Sequence, residues 1–299
     1  MTKVNLVRLL AILSMLLLFI ALSPYMHAQV TIAQISDSHI GLARAPQAAE
    51  NLRRAVQMIN QRNPDVVVVT GDIGERPSAW DQARDILGGL KAKVYYIPGN
   101  HDVHSDGPQK YRSVFGDDYY KFQVKYVTVY ALDSQLLGNW DQFDAHQEPP
   151  MSPEIKQEGE KMLNWLASQE RGGGDRDRKK KDKDDRGRGG NGNVVIAMQH
   201  VPDERDGGFP NDSKPYWTVN GEYKRREEDI LKRLGVHDVL AGHWHDARVF
   251  DAAGLRWHVA PATSWSPFGG KLGFAMYTIM PDGKVNTEFV YLDGSTERK

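Results

Sequence analysis

Five short clusters of Asp, Asn and His are spaced along the chain, and each follows an apolar, strand-like run. In open α/β sheets, ligands bind at the carboxyl ends of the strands. A chain with this pattern is therefore constrained to a fold in which several strand ends meet around one site. The clusters are Asp37-Ser38-His39, Gly71-Asp72, Gly99-Asn100-His101-Asp102, His200 and Gly242-His243-Trp244-His245.

The segments between the first three clusters alternate between strand and helix patterns. Runs rich in β-branched residues predict strands at 30–36, 65–70 and 94–98. Amphipathic stretches between them predict helices at 47–62 and 79–90. This repeated order favours an α/β fold with a largely parallel sheet.

The second half of the chain predicts a second sheet. After two adjacent strands, Ser152 caps a helix that begins at Pro153 and ends near residue 169. The last third predicts consecutive antiparallel strands with a hairpin turn at 281–283. We expect two sheets packed face to face with helices outside. The predicted elements are strands at 119–124, 126–132, 194–198, 238–241, 248–250, 256–260, 273–280 and 284–292 and a helix at 223–234.

Residues 1–28 have the composition of a secretory signal. Lys3 and Arg8 precede an apolar run at 9–22, and a more polar stretch ends at Ala28, where we expect cleavage. The apolar run is shorter than the roughly 18–20 residues of a spanning helix. Export to the periplasm or the medium is therefore expected. The alternative is an uncleaved N-terminal anchor, which would be the expected route of membrane contact.

The composition excludes several kinds of partner and site. The 299 residues carry a formal net charge of −1, so no broad basic surface and no nucleic-acid partner are predicted. The chain contains no cysteine, which excludes disulfides, thiolate zinc sites and a cysteine nucleophile. Any metal must be bound by nitrogen and oxygen ligands. The oligomeric state is left open by the sequence.

Residues 29–299 are predicted to form one domain that contains a charged insertion. The insertion, 171–193, combines consecutive glycines with alternating Asp, Arg and Lys and has no large apolar side chain. Such a composition cannot bury enough surface to order itself, so a flexible surface loop is expected. The lysines at 179–181 could contact polyanions, but a solvated loop is the favoured interpretation.

The side chains of the five clusters are of the types that bind two neighbouring divalent ions. Two ions about 3.5–4 Å apart can hold a hydroxide and clamp phosphate oxygens, if one carboxylate bridges them. The spacing of Asp37 and His39, repeated at His243 and His245, directs both members of a pair to the same side of an extended chain. Each cluster alone is explained by a turn cap or a core histidine, but their joint occurrence favours a metal site. Three histidines outside the pattern are interpreted as surface or loop residues: His104, His146 and His237.

Together the clusters resemble the signature of the calcineurin-like metallophosphoesterases, and the resemblance extends over residues 30–292. The runs at 95–103, 115–120 and 132–135 and the tail from Gly242 look more closely like the branch of calcineurin-like phosphoesterase-domain proteins described as serine/threonine protein phosphatases. The resemblance implies a four-layer α/β/β/α sandwich of two mixed sheets flanked by helices, with a dinuclear site. The ligands that it implies are Asp37, His39 and His245 for the first ion, Asn100, His200 and His243 for the second, and Asp72 as the bridge.

The resemblance also implies a mechanism. A hydroxide between two divalent ions, manganese, iron or zinc, would attack phosphorus in line, without a covalent phosphoenzyme. His101 would act on the leaving group as general acid or charge stabiliser, and Asp102 would orient it. Glu75 stands where purple acid phosphatases carry a tyrosine ligand, which argues against a purple iron centre. Gln199 stands where bacterial cyclic-nucleotide phosphodiesterases usually carry a histidine, which weakens that interpretation.

The substrate is less constrained than the chemistry. An exported phosphomonoesterase, with phosphoproteins among its candidate substrates, is the leading hypothesis. A phosphodiesterase for cyclic nucleotides or phospholipid head groups is the second, and a non-catalytic scaffold is the third. The loop at 201–220 and the turn at 263–265 follow ligand positions, so their side chains are candidates for lining the pocket. Within them, Arg205 is interpreted as a surface residue in preference to a phosphate ligand.

Overall fold

The computed structural model of the protein describes residues 29–103, 108–172, 188–189, 193–211 and 213–299. The predicted signal segment, 1–28, and most of the predicted insertion, 171–193, lie outside the described residues. The helices are α1 (Ala48–Arg62), α2 (Pro77–Leu87), α3 (Pro108–Phe115), α4 (Pro153–Ser168) and α5 (Gly221–Arg233). The strands are β1 (Val30–Ile35), β2 (Val66–Thr70), β3 (Lys93–Ile97), β4 (Tyr120–Val124), β5 (Val127–Ala131), β6 (Arg188–Gly189), β7 (Asn193–Met198), β8 (Asp238–Ala241), β9 (Arg248–Ala252), β10 (Leu255–Val259), β11 (Gly273–Ile279), β12 (Val285–Tyr291) and β13 (Thr296–Arg298).

These strands form two mixed sheets. The first has the order β13-β12-β11-β1-β2-β3, and β1, β2 and β3 are parallel. The second has the order β4-β5-β7-β8-β10-β9, with β6 paired to β7, and its strands β5, β7, β8 and β10 are parallel. The architecture predicted from the sequence, two mixed sheets flanked by helices, is confirmed.

The alternation of side chains along β1 and β2 explains the layers. Ala33 and Val67 pack in a core with α1 and α2, whereas Ile32 and Val66 pack in the core between the two sheets. Successive strand residues point to opposite faces, so a strand that is apolar on both faces is buried between a helix layer and the other sheet. A third core, which includes Leu163, lies between the second sheet and helices α4 and α5.

Helices α1, α2, α4 and α5 lie close to the positions that their amphipathic patterns predict, whereas α3 was not predicted. α4 begins as expected, with Pro153 in its first turn and Ser152 Oγ accepting a hydrogen bond from Ile155 N at 3.2 Å. In the part of the chain that the structure describes, no helix combines the length and apolar character needed to cross a membrane.

The last third of the chain corrects the prediction of consecutive antiparallel strands. β9 and β10 form an antiparallel hairpin, but β10 joins the second sheet by parallel pairing with β8. β11, β12 and β13 form antiparallel pairs in the first sheet. The apolar alternation of these strands suits either sheet, so it could not assign their partners. The predicted hairpin turn is present, and Gly283 adopts a φ of 90° there.

A buried polar bridge that the sequence did not reveal connects the sheets. His258 on β10 contacts Thr287 Oγ1 on β12 through Nδ1 at 2.8 Å, and Asp238 Oδ1 on β8 through Nε2 at 2.7 Å. All three side chains are buried. Because a buried polar group is costly unless it is paired, this bridge favours one placement of the first sheet on the second.

Candidate metal centre

The seven predicted ligands converge at one edge of the molecule, where the parallel strands of both sheets end. Each of them is at most 5% exposed. The first sheet contributes the residues that follow β1, β2 and β3, and the second sheet contributes those that follow β7 and β8. In chain order they are Asp37, His39, Asp72, Asn100, His200, His243 and His245.

Five of these residues have a strained backbone. Among the described residues, eight that are not glycine have a positive φ, and five of the eight belong to this edge. The left-handed region costs such residues about 1–3 kcal/mol each and is retained mainly where surrounding structure enforces it. The strain turns the side chains inward immediately after a strand. The φ values are 54° for Asp37, 42° for His39, 50° for Asp72, 68° for His243 and 56° for His245.

The ligand atoms form two groups that share Asp72. Asp72 Oδ2 lies 3.3 Å from His39 Nε2 and 3.3 Å from His200 Nε2. In the first group, His245 Nε2 lies 3.1 Å from both His39 Nε2 and Asp37 Oδ1. The first group comprises Asp37, His39, Asp72 and His245, and the second comprises Asp72, His200 and His243.

Three of the four imidazoles are oriented by backbone carbonyl groups. A carbonyl only accepts hydrogen bonds, so the ring nitrogen that faces it carries the proton and the other nitrogen is left as a ligand. His243 is turned the opposite way from the others and is left with Nδ1. The contacts are His200 Nδ1 to Thr70 O at 2.6 Å, His245 Nδ1 to Trp265 O at 2.8 Å and His243 Nε2 to Tyr216 O at 2.8 Å.

The two aspartates are held by backbone amides from other clusters. His101 N donates to Asp72 Oδ1 at 2.8 Å, and His243 N donates to Asp37 Oδ2 at 3.1 Å. In each case one oxygen is fixed and the other is left for the centre. The clusters therefore support one another through their main chains as well as through their side chains.

Two glycines permit this close approach. Gly71 has a φ of 90°, and a Cβ there would lie 2.7 Å from His200 Nδ1. A Cβ on Gly99 would collide with the Asp72 carboxylate. The glycines that precede Asp72 and Asn100 are therefore required by the crowding between neighbouring strand ends.

Asn100 is positioned through Tyr216. Its Nδ2 donates to Tyr216 Oη at 3.2 Å, and the Tyr216 ring lies 4.8 Å from the His243 ring. Tyr216 therefore contacts two predicted ligands of the same ion, one through its hydroxyl and one through its carbonyl. From the sequence, this tyrosine is only one residue of the candidate pocket loop at 201–220.

The charges of the cluster suit a cation. Burial raises the pKa of Asp37, but the imidazoles of His245 and His200 outweigh it and hold the pKa at about 2. Burial also raises the pKa of Asp72, and nearby imidazoles again bring it well below its usual value. Burial and the neighbouring His200 lower the pKa of His243 to about 3, so this ring is neutral and can act as a ligand.

Three buried atoms of the cluster have no hydrogen-bond partner: Asp37 Oδ1, Asn100 Oδ1 and His200 Nε2. Buried polar atoms are normally paired in folded proteins. Two divalent cations, one in each group, would satisfy all three atoms. Imidazole nitrogens together with carboxylate and amide oxygens suit manganese, iron and zinc. The residues present therefore fit a metal centre.

His101 lies beside the first group, and a residue that sequence reasoning did not assign orients it. Glu75 Oε2 lies 3.2 Å from His101 Nδ1, and Glu75 Oε1 lies 2.5 Å from His39 Nδ1. Burial lowers the pKa of His101, but the Asp72 and Glu75 carboxylates outweigh it and raise the pKa to about 9. The signal for Glu75 was its place three residues after Asp72, in the same loop.

Asp102 does not orient His101 as expected. Its carboxylate accepts hydrogen bonds from Gly99 N at 2.9 Å, Ile73 N at 3.1 Å and Trp80 Nε1 at 3.2 Å. Adjacent residues in a turn direct their side chains differently, and here Asp102 faces the loop that carries Asp72. It braces the backbone of two clusters, whereas Glu75 contacts the imidazole of His101 directly.

The other candidate residues take structural or surface positions. Arg205 donates to Pro210 O at 2.9 Å and so braces its own loop. Gln199 donates to Val201 O and to Asp203 Oδ1, both at 2.8 Å. His146 and His237 are exposed, as expected, and His104 lies outside the described residues.

Known proteins share this sequence pattern and fold. Residues 30–247 match the model of the calcineurin-like phosphoesterase family. The chain belongs to this family. A bovine relative named serine/threonine-protein phosphatase CPPED1 is 28% identical over 207 residues, which cover 64% of this chain and 57% of that protein. The chain thus spans little more than half the length of that relative.

The chain is also similar to a second kind of phosphoesterase in sequence and to a solved phosphatase in structure. A probable cyclic nucleotide phosphodiesterase from Rhodopseudomonas palustris is 46% identical over 59 residues, which cover 18% of this chain and 21% of that protein. The crystal structure of a dimetal phosphatase from Danio rerio superposes with a TM-score of 0.60 at 16% identity, covering 87% of this chain and 95% of that one. At that identity the superposition shows a shared fold.

Proposed function

We propose that the protein is a metal-dependent phosphoric ester hydrolase that removes phosphate from monoesters, with phosphorylated proteins among its substrates. The observation that carries this proposal is the position of Asp72 Oδ2, 3.3 Å from Nε2 of both His39 and His200. A carboxylate shared by two groups of ligands is what two adjacent divalent ions require.

The proposed ligands divide between the two ions around Asp72. When bound, two divalent ions of manganese, iron or zinc would act as Lewis acids that activate water and the phosphate ester. The chain's own part is to hold the ligands in buried, pre-oriented positions, so that little reorganisation accompanies the reaction. Asp37, His39 and His245 would hold the first ion, Asn100, His200 and His243 would hold the second, and Asp72 would serve both.

His101 is the proposed proton donor to the leaving oxygen. Its ring centre lies 4.7 Å from that of His39, and its side chain is 26% exposed, so a substrate can reach it. Glu75 Oε2 contacts Nδ1, so Nε2 is the nitrogen that we propose as the proton donor. We infer direct displacement by water, in line with the leaving oxygen and without a covalent phosphoenzyme.

The comparisons favour a monoester over a diester. The match to the relative named a phosphatase runs over 207 residues, whereas the match to the probable phosphodiesterase runs over 59. The diester activity is kept as the alternative because the second match is the more identical one. Export directed by residues 1–28 is part of the proposal and rests on their sequence alone.

A substrate panel tests the proposal. The manganese-loaded protein is assayed with a phosphoserine peptide, 4-nitrophenyl phosphate, bis(4-nitrophenyl) phosphate and cyclic AMP. We expect a higher kcat/KM for the two monoesters, and loss of turnover in a chelator and in Asp72→Asn. Faster turnover of the diesters would overturn the monoester assignment. No turnover of any ester by the loaded protein would favour the scaffold hypothesis.

A further inference from the structure

Two large apolar side chains in the described part of the chain stay exposed, and each is two ring contacts away from His243. Phe143 is 46% exposed and Phe268 is 42% exposed. They come from different loops, yet both contact Trp217, with ring centres 5.8 and 5.6 Å away. Phe143 also contacts Tyr216, with ring centres 4.9 Å apart. We call the four side chains the aromatic rim: Phe143, Tyr216, Trp217 and Phe268.

The aromatic rim is continuous with the proposed ligands. The rings of Tyr216 and Trp217 lie 4.8 and 5.8 Å from the His243 ring. Two successive ring contacts, of 4.8 and 4.9 Å, therefore lead from His243 through Tyr216 to the exposed Phe143. A group esterified to a phosphate at the metal centre is within reach of these rings.

Internal packing does not account for the exposed part of the rim. Trp217 is only 5% exposed and belongs to the core below the second sheet. Phe143 and Phe268 instead leave almost half of their surface in water, and clustered exposed apolar surface is typical of a binding site. Lys214 Nζ lies 4.0 Å from the Phe143 ring but is paired with Asp144 at 2.9 Å. The positive charge of Lys214 beside the rim is therefore paired with a negative one.

We propose that the aromatic rim is the leaving-group subsite and that it selects phosphate esters of aromatic alcohols. This inference rests on the proposed function, since it takes the phosphate to lie at the metal centre. Aromatic rings favour edge and offset contacts, and the Phe143 and Phe268 rings stand at 85° and 52° to the Trp217 ring. A hydroxyl-rich alcohol would lose hydration against these rings without gaining hydrogen bonds.

The test compares benzyl phosphate with ethyl phosphate. Both are esters of primary alcohols, so the ring is the main difference between them. In the native, manganese-loaded protein we expect KM to be about tenfold lower for benzyl phosphate, with similar kcat. Phe143→Ser and Phe268→Ser should each reduce this ratio about threefold, through a higher KM for benzyl phosphate. Phe122→Leu, on the remote strand β4, is the matched control and should keep the native ratio.

A binding measurement separates failure of the rim from failure of the proposed function. Calorimetry with benzylphosphonate and ethylphosphonate gives a ratio of Kd values that needs no turnover. If no ester is hydrolysed but this ratio is about tenfold and falls in both variants, the rim is supported and the proposed function fails. If esters are hydrolysed but the KM ratio and the Kd ratio of the ethyl to the benzyl compound are both near one, the rim assignment is wrong. It is also wrong if the two variants leave these ratios unchanged. Ratios near one without turnover overturn both.

Discussion

Glu75 and His101 are joined by a contact of 3.2 Å between Oε2 and Nδ1, and the other oxygen of the same carboxylate lies 2.5 Å from His39 Nδ1. Burial raises the pKa of Glu75, but hydrogen bonds to the two imidazoles outweigh it and lower the pKa to about 2. An ionised carboxylate thus sets the position of the proposed proton donor relative to a proposed ligand.

Replacing Glu75 should impair turnover more than binding of substrate. Glu75→Gln keeps the size of the side chain but leaves one oxygen to serve two rings. We expect kcat to fall about 10- to 100-fold with a smaller change in KM. Steady-state kinetics at saturating manganese measure the effect.

Asp102→Asn provides the contrast to Glu75→Gln. The new amide cannot accept all the bonds from Gly99, Ile73 and Trp80, so we expect a loss of about 1–3 kcal/mol in unfolding free energy. Its kcat should fall less than that of Glu75→Gln. A larger loss of kcat in Asp102→Asn than in Glu75→Gln, without loss of stability, would show that Asp102 orients the His101 imidazole.

Tyr216→Phe should weaken one metal site selectively. The variant keeps the ring and the carbonyl that orients His243, but it loses the hydroxyl that accepts from Asn100. Calorimetric titration with manganese should show about tenfold weaker binding of one ion and unchanged binding of the other. Tyr126→Phe, which removes a hydroxyl bonded to Ile279 O far from the centre, is the control. Unchanged affinities in Tyr216→Phe would contradict the positioning role.

The site was more predictable than the contacts that orient it. Asp, Asn and His are recognisable in the sequence as residue types that bind metals. Their positions after predicted strands indicate that they lie close together in the fold. The partners of the imidazoles are mostly backbone carbonyls, such as Trp265 O, and a carbonyl has no sequence signature. Asp72 adopts a left-handed conformation, and no local sequence pattern predicts it.

The fold was likewise predictable from the sequence only in part. Strands and helices with strong periodicity, such as β2 and α1, lie close to their predicted positions. Periodicity gives no sheet assignment for β9 to β12, and the short elements α3 and β13 were missed. The partners of His258 lie 20 and 29 residues away along the chain, so its role depends on how the sheets pack.

His258→Leu should destabilise the protein without emptying the metal centre. The substitution leaves Asp238 and Thr287 buried without their imidazole partner, so we expect a loss of about 2–4 kcal/mol in unfolding free energy. Urea unfolding measures this, and elemental analysis should still give the native metal content. His237→Leu, at an exposed histidine, should change neither quantity. Native stability of His258→Leu would show that the bridge contributes nothing.

Stability should fall as the pH rises towards 8, because α5 carries a buried carboxyl group, that of Glu227. Burial raises the pKa of Glu227 to about 8, with the neighbouring Asp203 opposing this shift and repulsion from Glu228 adding to it. The unfolded chain loses this proton near pH 4.3. The folded state therefore holds more protons between about pH 4.3 and 8, and its stability decreases over that window.

Glu227→Gln isolates this contribution. In chelator, the difference in unfolding free energy between pH 5 and pH 8 should be smaller for the variant than for the native protein. An identical pH dependence of the two proteins would show that Glu227 is ionised when folded.

The central claim is that Asp72 joins two metal ions, and anomalous diffraction from manganese-loaded crystals tests it most directly. We predict two peaks about 3.5–4 Å apart, one beside His39 and His245 and the other beside His200 and His243, with the Asp72 carboxylate between them. A single peak, or two peaks that do not share Asp72, would contradict the account.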